Sequence, residues 1–235
     1  MKVQDRRRIL GPSNAKPIEF GADRAAASKA VKSSDEPEQL VLRTGVIENC
    51  NGSSLVEVNG GGRQVSLLSS VYGPRALRGS FTAMAAISIQ LQNGSQEKYD
   101  SSLLREAASF LSNIFEAVVN RSRYPKSGID IFVYLTYDLE QASRTNIAAI
   151  IPHCITAVTL ALADAGIEIV DLAGGGFHGG NVFSFIKNGE EITGFWKDEG
   201  VGDDVAGSLE ECKRSYLRYK GLMVDCLMQK QVMKE

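Results

Sequence analysis

Ile129-Asp130-Ile131-Phe132-Val133-Tyr134-Leu135, then Asn146 to Ala165, then Ile167-Glu168-Ile169-Val170-Asp171-Leu172 form the stretch on which the fold turns. The first run is β-branched and aromatic and predicts a central strand. The second predicts a helix, with Pro152 either kinking it or marking its first turn, and it closes at Gly166, where a left-handed cap costs little. The third predicts the next strand. Strand, apolar helix and strand in succession describe a domain that mixes sheet and helix.

Toward the N-terminus the pattern shortens into runs punctuated by glycine: Thr44 to Glu48, Ser54 to Val58, Gln64 to Val71 and Ala85 to Leu91. These predict strands of an antiparallel sheet, with Asn59-Gly60-Gly61-Gly62 and Asn93-Gly94 supplying hairpin turns. Leu103 to Val119 is apolar at 103, 107, 110, 111, 114 and 118, which predicts a helix capped by Asp100 or Ser101 and ended by Tyr124-Pro125. Toward the C-terminus, a loop Gly174 to Gly180 leads into a strand Asn181 to Ile186, and Asn188-Gly189 turns into Ile192 to Trp196. The last helix opens on Ser208-x-x-Glu211, a capping box, and carries a buried stripe at 209, 212, 216, 219, 223 and 226.

At 235 residues and 43% hydrophobic, the chain can bury a core. Its 26 Lys+Arg against 28 Asp+Glu give a net charge of -2, which excludes a wholesale basic coat for nucleic acid but not a local patch. Residues 1 to 40 read as an N-terminal arm and flexible linker, positive over its first 32 residues, with eight basic against three acidic side chains. Residues 41 to 235 read as one domain. Cys50, Cys154, Cys212 and Cys226 form no C-x-x-C pair and only His153 and His178 could assist them, so reduced, mostly buried thiols and no zinc site are expected. With no uninterrupted apolar run near membrane length and no signal-like leader, an intracellular chain without a membrane partner is expected.

Four constellations invite chemistry. The glycines at 174 to 180 resemble a phosphate cradle, but a strand rather than a helix follows, so a hairpin is the preferred reading. Ser143-Arg144-Thr145 fits an anion site at a helix start and equally fits simple N-capping. His153 sits in an apolar stretch and reads as a hydrogen-bonded core residue, while His178 lies on a loop with no sequence partner. Arg75 and Arg78 belong to Tyr72-Gly73-Pro74-Arg75-Ala76-Leu77-Arg78-Gly79, a constrained turn presenting two guanidiniums suited to backbone phosphates. Two solvated loop arginines are the plainer alternative.

Taken in order, these motifs resemble the RNase PH family of phosphorolytic ribonucleases and their relatives in the RNA exosome ring. The resemblance is carried by Asp5-Arg6-Arg7-Arg8, Gly52-Ser53-Ser54-Leu55-Val56-Glu57, Val71-Tyr72-Gly73-Pro74-Arg75, Arg123-Tyr124-Pro125-Lys126-Ser127, and Ala161-Leu162-Ala163-Asp164-Ala165-Gly166-Ile167-Glu168 with Asp171-Leu172. It implies an RNase PH-like (ribosomal S5 domain 2-like) α+β fold, mixed sheets packed with helices, with two βαβα-like halves in one domain. It also shows departures. Where active relatives carry acids after the Asp-Leu strand, this chain has Ala173-Gly174-Gly175-Gly176-Phe177-His178-Gly179-Gly180. Their phosphate motif, counted back from Asp164, falls on Ala149-Ile150-Ile151, and Phe81 to Leu91 lacks the usual arginines.

The resemblance therefore implies a non-catalytic structural ring subunit of the RNA exosome, with no catalytic residue, metal or cofactor. It would form a channel guiding single-stranded RNA to an associated nuclease, lined by Arg75 and Arg78, with Arg6, Arg7 and Arg8 as additional basic contacts. Partners would be the other RNase PH-like subunits of a hetero-hexamer and an S1/KH cap subunit. Location would be nucleus, nucleolus and cytoplasm. The alternative is an active phosphorolytic 3′ exoribonuclease needing phosphate and magnesium.

Overall fold

The computed structural model describes residues 38–60, 63–94, 99–138, 143–197 and 204–232. Arg6, Arg7 and Arg8, and nearly all of the arm predicted over 1 to 40, lie outside them.

Strands β1 (Gln39–Thr44), β2 (Gly52–Gly60), β3 (Arg63–Ala76), β4 (Ala86–Asn93) and β5 (Ser127–Asp138) form one sheet in the order β1-β2-β3-β5-β4. The run Ile129 to Leu135 lies between two neighbours, as its apolar composition requires. The first three pairings are antiparallel, but β4 runs parallel to β5, with Ile87 opposite Ile129 and Leu91 opposite Val133. This corrects the all-antiparallel expectation. Helix α1 (Ser101–Val118) connects the two strands, and a crossover of that length returns the chain to run parallel. Asn93-Gly94 is accordingly no hairpin. Asn93 closes the connection by donating to the Tyr99 carbonyl at 2.9 Å, and Gly94 sits where a Cβ would meet the Leu135 carbonyl oxygen at 2.7 Å.

Helix α2 (Arg144–Asp164) is buried on every side from Asn146 to Leu162. It lies between the five-stranded sheet, which it touches at β2 and β3, and a second sheet touching it at β6. A helix sandwiched this way shows no apolar stripe, because all its faces are core. It is long and apolar enough to cross a membrane, yet 94% of its apolar window is buried inside the protein. Pro152 lies within it rather than at its first turn, and Gly166, at φ +68°, follows its end.

The second sheet corrects two further expectations. Ile167 to Leu172 is not a strand: it holds a single bridge, Ile169 to Val119. The strand is the glycine run itself, β6 (Gly174–His178), paired antiparallel with β7 (Asn181–Ile186), which pairs with β8 (Glu191–Lys197). Glycines disfavour strands in isolation, but here the close approach of helices decides. A Cβ on Gly176 would stand 2.5 Å from the Cα of Cys212 on helix α3 (Val205–Val232). Gly179 and Gly180, both at positive φ, make the hairpin turn.

Helix α3 packs its predicted stripe, Cys212, Tyr216, Tyr219 and Met223, against β6 and β7 and reaches β1. It starts earlier than expected. Asp204 occupies the cap, accepting from the Gly207 amide at 2.9 Å, while Ser208 lies in the first turn and donates to the Asp204 carbonyl. At the N-terminal boundary, β1 ends at Thr44, where the sequence pattern predicts a strand to begin, and Gly45 at φ +69° turns the chain away.

Candidate functional site

Strand β3 runs out of the sheet at its C-terminal end through a register shift between Tyr72 and Arg75 that accommodates Gly73-Pro74, where proline has no amide to give the ladder. Gly73 is required twice: its φ is +136°, and a Cβ would meet the Gly128 carbonyl oxygen at 2.6 Å. Its amide donates to Asn51 Oδ1 at 2.9 Å, which fixes the turn. Past the turn, Arg75 is back in register opposite Gly128, so it belongs to the strand rather than to a loop.

The two predicted channel arginines differ. Arg75 Nε is 2.5 Å from Asp130 Oδ2 on the neighbouring strand, and this hydrogen bond and charge raise the arginine's pKa. Its side chain is still 59% exposed. Arg78 is exposed and has no hydrogen-bond or ionic partner among the described residues. Between them, Leu77 packs over Gly128 and donates its amide to the Lys126 carbonyl at 3.0 Å. Lys126, at φ +54°, in turn donates its amide to the Thr82 carbonyl at 2.8 Å. Ala85 and Arg121 close the base, backbone to backbone at 3.0 Å, with Arg121 Nε also on the Ala85 carbonyl.

Sequence reasoning did not single out Asp130, Lys126 or Phe81 at this end of the sheet. Asp130 was legible as the one acid within the apolar run Ile129 to Leu135. Phe81 was legible as the one phenylalanine in a stretch, Glu57 to Glu97, that contains no other acid between those two.

The other constellations resolve toward structure. Ser143 caps α2, its Oγ accepting from the Asn146 amide at 3.0 Å. Arg144 is held by both oxygens of Glu106, at 2.9 and 2.6 Å, and lies over the Trp196 ring, so capping and packing account for this motif. Ala149-Ile150-Ile151 lie in the buried interior of α2. Asp171 is engaged by Lys220 Nζ and by the amides of Lys187 and Leu172; burial opposes its ionisation, but these bonds outweigh it and its pKa is lowered. Among the described residues no group of three or more His, Cys, Asp or Glu side chains is arranged to hold a metal ion.

His153 is a core residue, 3% exposed, with Nε2 at 3.5 Å from Glu38 Oε1, while His178 is exposed at the hairpin. Glu38 also accepts from Tyr219 at 2.7 Å and joins β1 to α2 and α3. Burial disfavours its charge, yet His153, Tyr219 and Arg218 together lower its pKa to about 2. Burial alone pushes the Cys154 thiol up to about 12, and burial partly offset by backbone hydrogen bonds pushes Cys212 up to about 11.

A β-sheet with a parallel β4-α1-β5 crossover, a buried helix ending in Ala-Asp-Ala-Gly and a Tyr-Gly-Pro-Arg turn define an RNase PH-like protein. The model of the 3′ exoribonuclease family, domain 1 (RNase PH), matches residues 36–168, and the chain belongs to that family. It is 30% identical over 199 residues to the exosome complex component MTR3 of Chaetomium thermophilum, covering 74% of this chain and 70% of that protein. It is 29% identical over 200 residues to the exosome complex component Rrp41 of Pyrobaculum aerophilum, covering 77% and 71%. Among solved structures, rice (Oryza sativa) Rrp46 superposes with a TM-score of 0.60 at 15% identity, covering 85% of this chain and 96% of that one. A chain of an archaeal exosome core gives 0.58 at 12% identity, covering 79% and 86%. These superpositions show the fold, which is the RNase PH-like α+β fold the resemblance implied.

Proposed function

We propose that this chain is a non-catalytic ring subunit of an RNA exosome, forming part of the channel that guides RNA to a nuclease. One observation carries the reading: the stretch where the resemblance places the phosphate motif, Ala149-Ile150-Ile151, is buried inside α2. Its amides are spent on helical hydrogen bonds, and no solvent-facing position remains for an anion. Arg144, the arginine nearest in sequence, is committed to Glu106. The family membership and the likeness to exosome components support assembly with other RNase PH-like subunits into a hetero-hexamer, beneath an S1/KH cap subunit and beside a nuclease. With that role we place the chain in nucleus, nucleolus and cytoplasm. Residues 1 to 40 would then serve as an arm and 41 to 235 as the ring domain, with no metal or cofactor needed.

RNA guidance falls to the end of β3. Arg75 and Arg78 reach backbone phosphates without reading bases, so binding should be salt-sensitive and independent of sequence.

The test is the full chain co-expressed with its RNase PH-like partners and offered single-stranded RNA, phosphate and magnesium. No nucleoside diphosphate attributable to this chain should be released, and the Arg75→Ala, Arg78→Ala double variant should assemble normally while threading RNA less well. Phosphate-dependent shortening abolished by a substitution in this chain would establish the alternative, an active phosphorolytic exoribonuclease.

A further inference from the structure

Phe81 is 72% exposed, the most exposed large apolar side chain among the described residues. Its setting is built rather than frayed. The loop that carries it is tied at three points: Leu77 and Thr82 both bond the backbone of Lys126, and Ala85 bonds that of Arg121. Four residues, Arg78-Gly79-Ser80-Phe81, are left standing clear of that base, all of them solvent-accessible. Gly79 makes the turn at φ +122° and has open space around it.

An exposed phenylalanine on a pinned tip gains nothing from the fold that holds it. Two cations accompany it: Arg78, three residues away on the same tip, and Lys126 beneath. No carboxylate lies in sequence between Glu57 and Glu97 to offset them, and Asp130 is occupied by Arg75. An apolar ring on a tip that carries one cation and is tied to the backbone of another, neither with an ionic partner among the described residues, matches one ligand class well, single-stranded nucleic acid, whose bases stack on aromatic faces while phosphates meet basic side chains. A protein partner would account for the ring but leaves the two cations without a role.

Building on the proposed RNA-guiding role, we propose that Phe81 is a stacking platform for one unpaired nucleobase of RNA, flanked by Arg78 and Lys126 on adjoining phosphates. Stacking is tolerant of base identity, because every base has a π-face. The platform thus fits a conduit that passes RNA of any sequence.

The experiment uses the full chain, assembled with its ring partners, and a single-stranded oligoadenylate or oligouridylate as probe. Phe81→Ala should weaken binding about ten-fold, by the same factor at low and high salt; Phe81→Trp should retain affinity and show fluorescence quenching on RNA addition. Arg78→Ala should weaken binding strongly at low salt and little at high salt. A duplex RNA should be indifferent to Phe81. If Phe81→Ala leaves affinity unchanged while Arg78→Ala lowers it, the platform is refuted and the RNA-guiding role stands. If Phe81→Ala instead prevents assembly and leaves RNA affinity intact, the ring is a protein contact and the proposal fails. If the parent assembly binds no RNA and Arg75 and Arg78 are without effect, the guiding role fails and the platform with it.

Discussion

Ala149-Ile150-Ile151 and Arg78-Gly79-Ser80-Phe81 both fall in segments that the RNase PH resemblance ties to RNA handling, and they lie at opposite extremes of exposure. The first is sealed between two sheets, its isoleucines part of the main core. The second stands on a three-point base in solvent. A phosphate site needs polar groups free to desolvate an anion, and a helix interior packed with isoleucine supplies none. A surface loop keeps its charges available at little cost to the fold. Chemistry inside the domain and guidance on its rim are therefore physically separable, and that separation is what the proposed role requires.

The largest expected effect comes from forcing the first region to resemble the second. Ile151→Arg restores an arginine where the family motif would fall, but it places an unpaired charge in the core. A loss of about 3–5 kcal/mol is expected, read as a collapse of soluble, cooperatively unfolding protein. A variant that folds like the parent and gains phosphate-dependent RNA shortening would show that α2 is only superficially closed.

Next in size is Gly176→Ala. The new methyl would lie 2.5 Å from the Cys212 Cα and 2.6 Å from its carbonyl oxygen, so α3 must move off β6. Overpacking against backbone costs about 1–3 kcal/mol, measurable as a lower urea midpoint. Gly79→Ala, at positive φ but with open space, should cost less because only backbone strain is involved.

These glycines mark the limit of what the sequence reveals. Ile129 to Leu135 and the stripe on α3 were legible because apolar periodicity reports burial directly. The ends of α2 were legible from Ser143 and Gly166. Gly174 to His178 reads as a loop in sequence because residues without side chains carry no periodicity; the strand there is imposed by helices on both faces. Parallel pairing of β4 was likewise hidden, since strand direction depends on what intervenes, not on the strand's own residues. At the candidate site, Arg75 and Arg78 were legible as types, but their difference depends on register: Tyr72 opposite Asp130 brings one guanidinium to a carboxylate and leaves the other without a partner among the described residues.

A third, intermediate effect concerns Glu38, immediately ahead of β1. The pKa of Glu38 is lowered to about 2 from an ordinary value of 4.5. A carboxylate depressed in the folded state contributes stability above its unfolded pKa and loses it as pH falls toward the folded one. Acid should therefore erode this clamp between pH 4.5 and about 2. Glu38→Gln should make the parent's acid limb shallower, by on the order of 1 kcal/mol given that part of the side chain is solvated. Identical acid unfolding curves would show that Glu38 does not clamp β1 to α2 and α3.

The smallest effect probes the difference between the two arginines. Asp130→Asn removes the charge that holds Arg75 while leaving the strand register intact, because the Asp130 side chain is partly exposed and its backbone alone pairs with Tyr72. An exposed ion pair contributes little to folding, so the unfolding midpoint should not change. RNA affinity should rise, and only at low salt, since a guanidinium no longer shared with a carboxylate strengthens its phosphate contact and steepens the logarithmic salt dependence by less than about one. Arg75→Ala in the same background should abolish that gain, whereas Arg78→Ala should lower affinity by the same factor with or without Asp130. If Asp130→Asn leaves the salt slope untouched, Arg75 points away from the RNA path. Rim guidance in this chain would then rest on Arg78 and its neighbours alone.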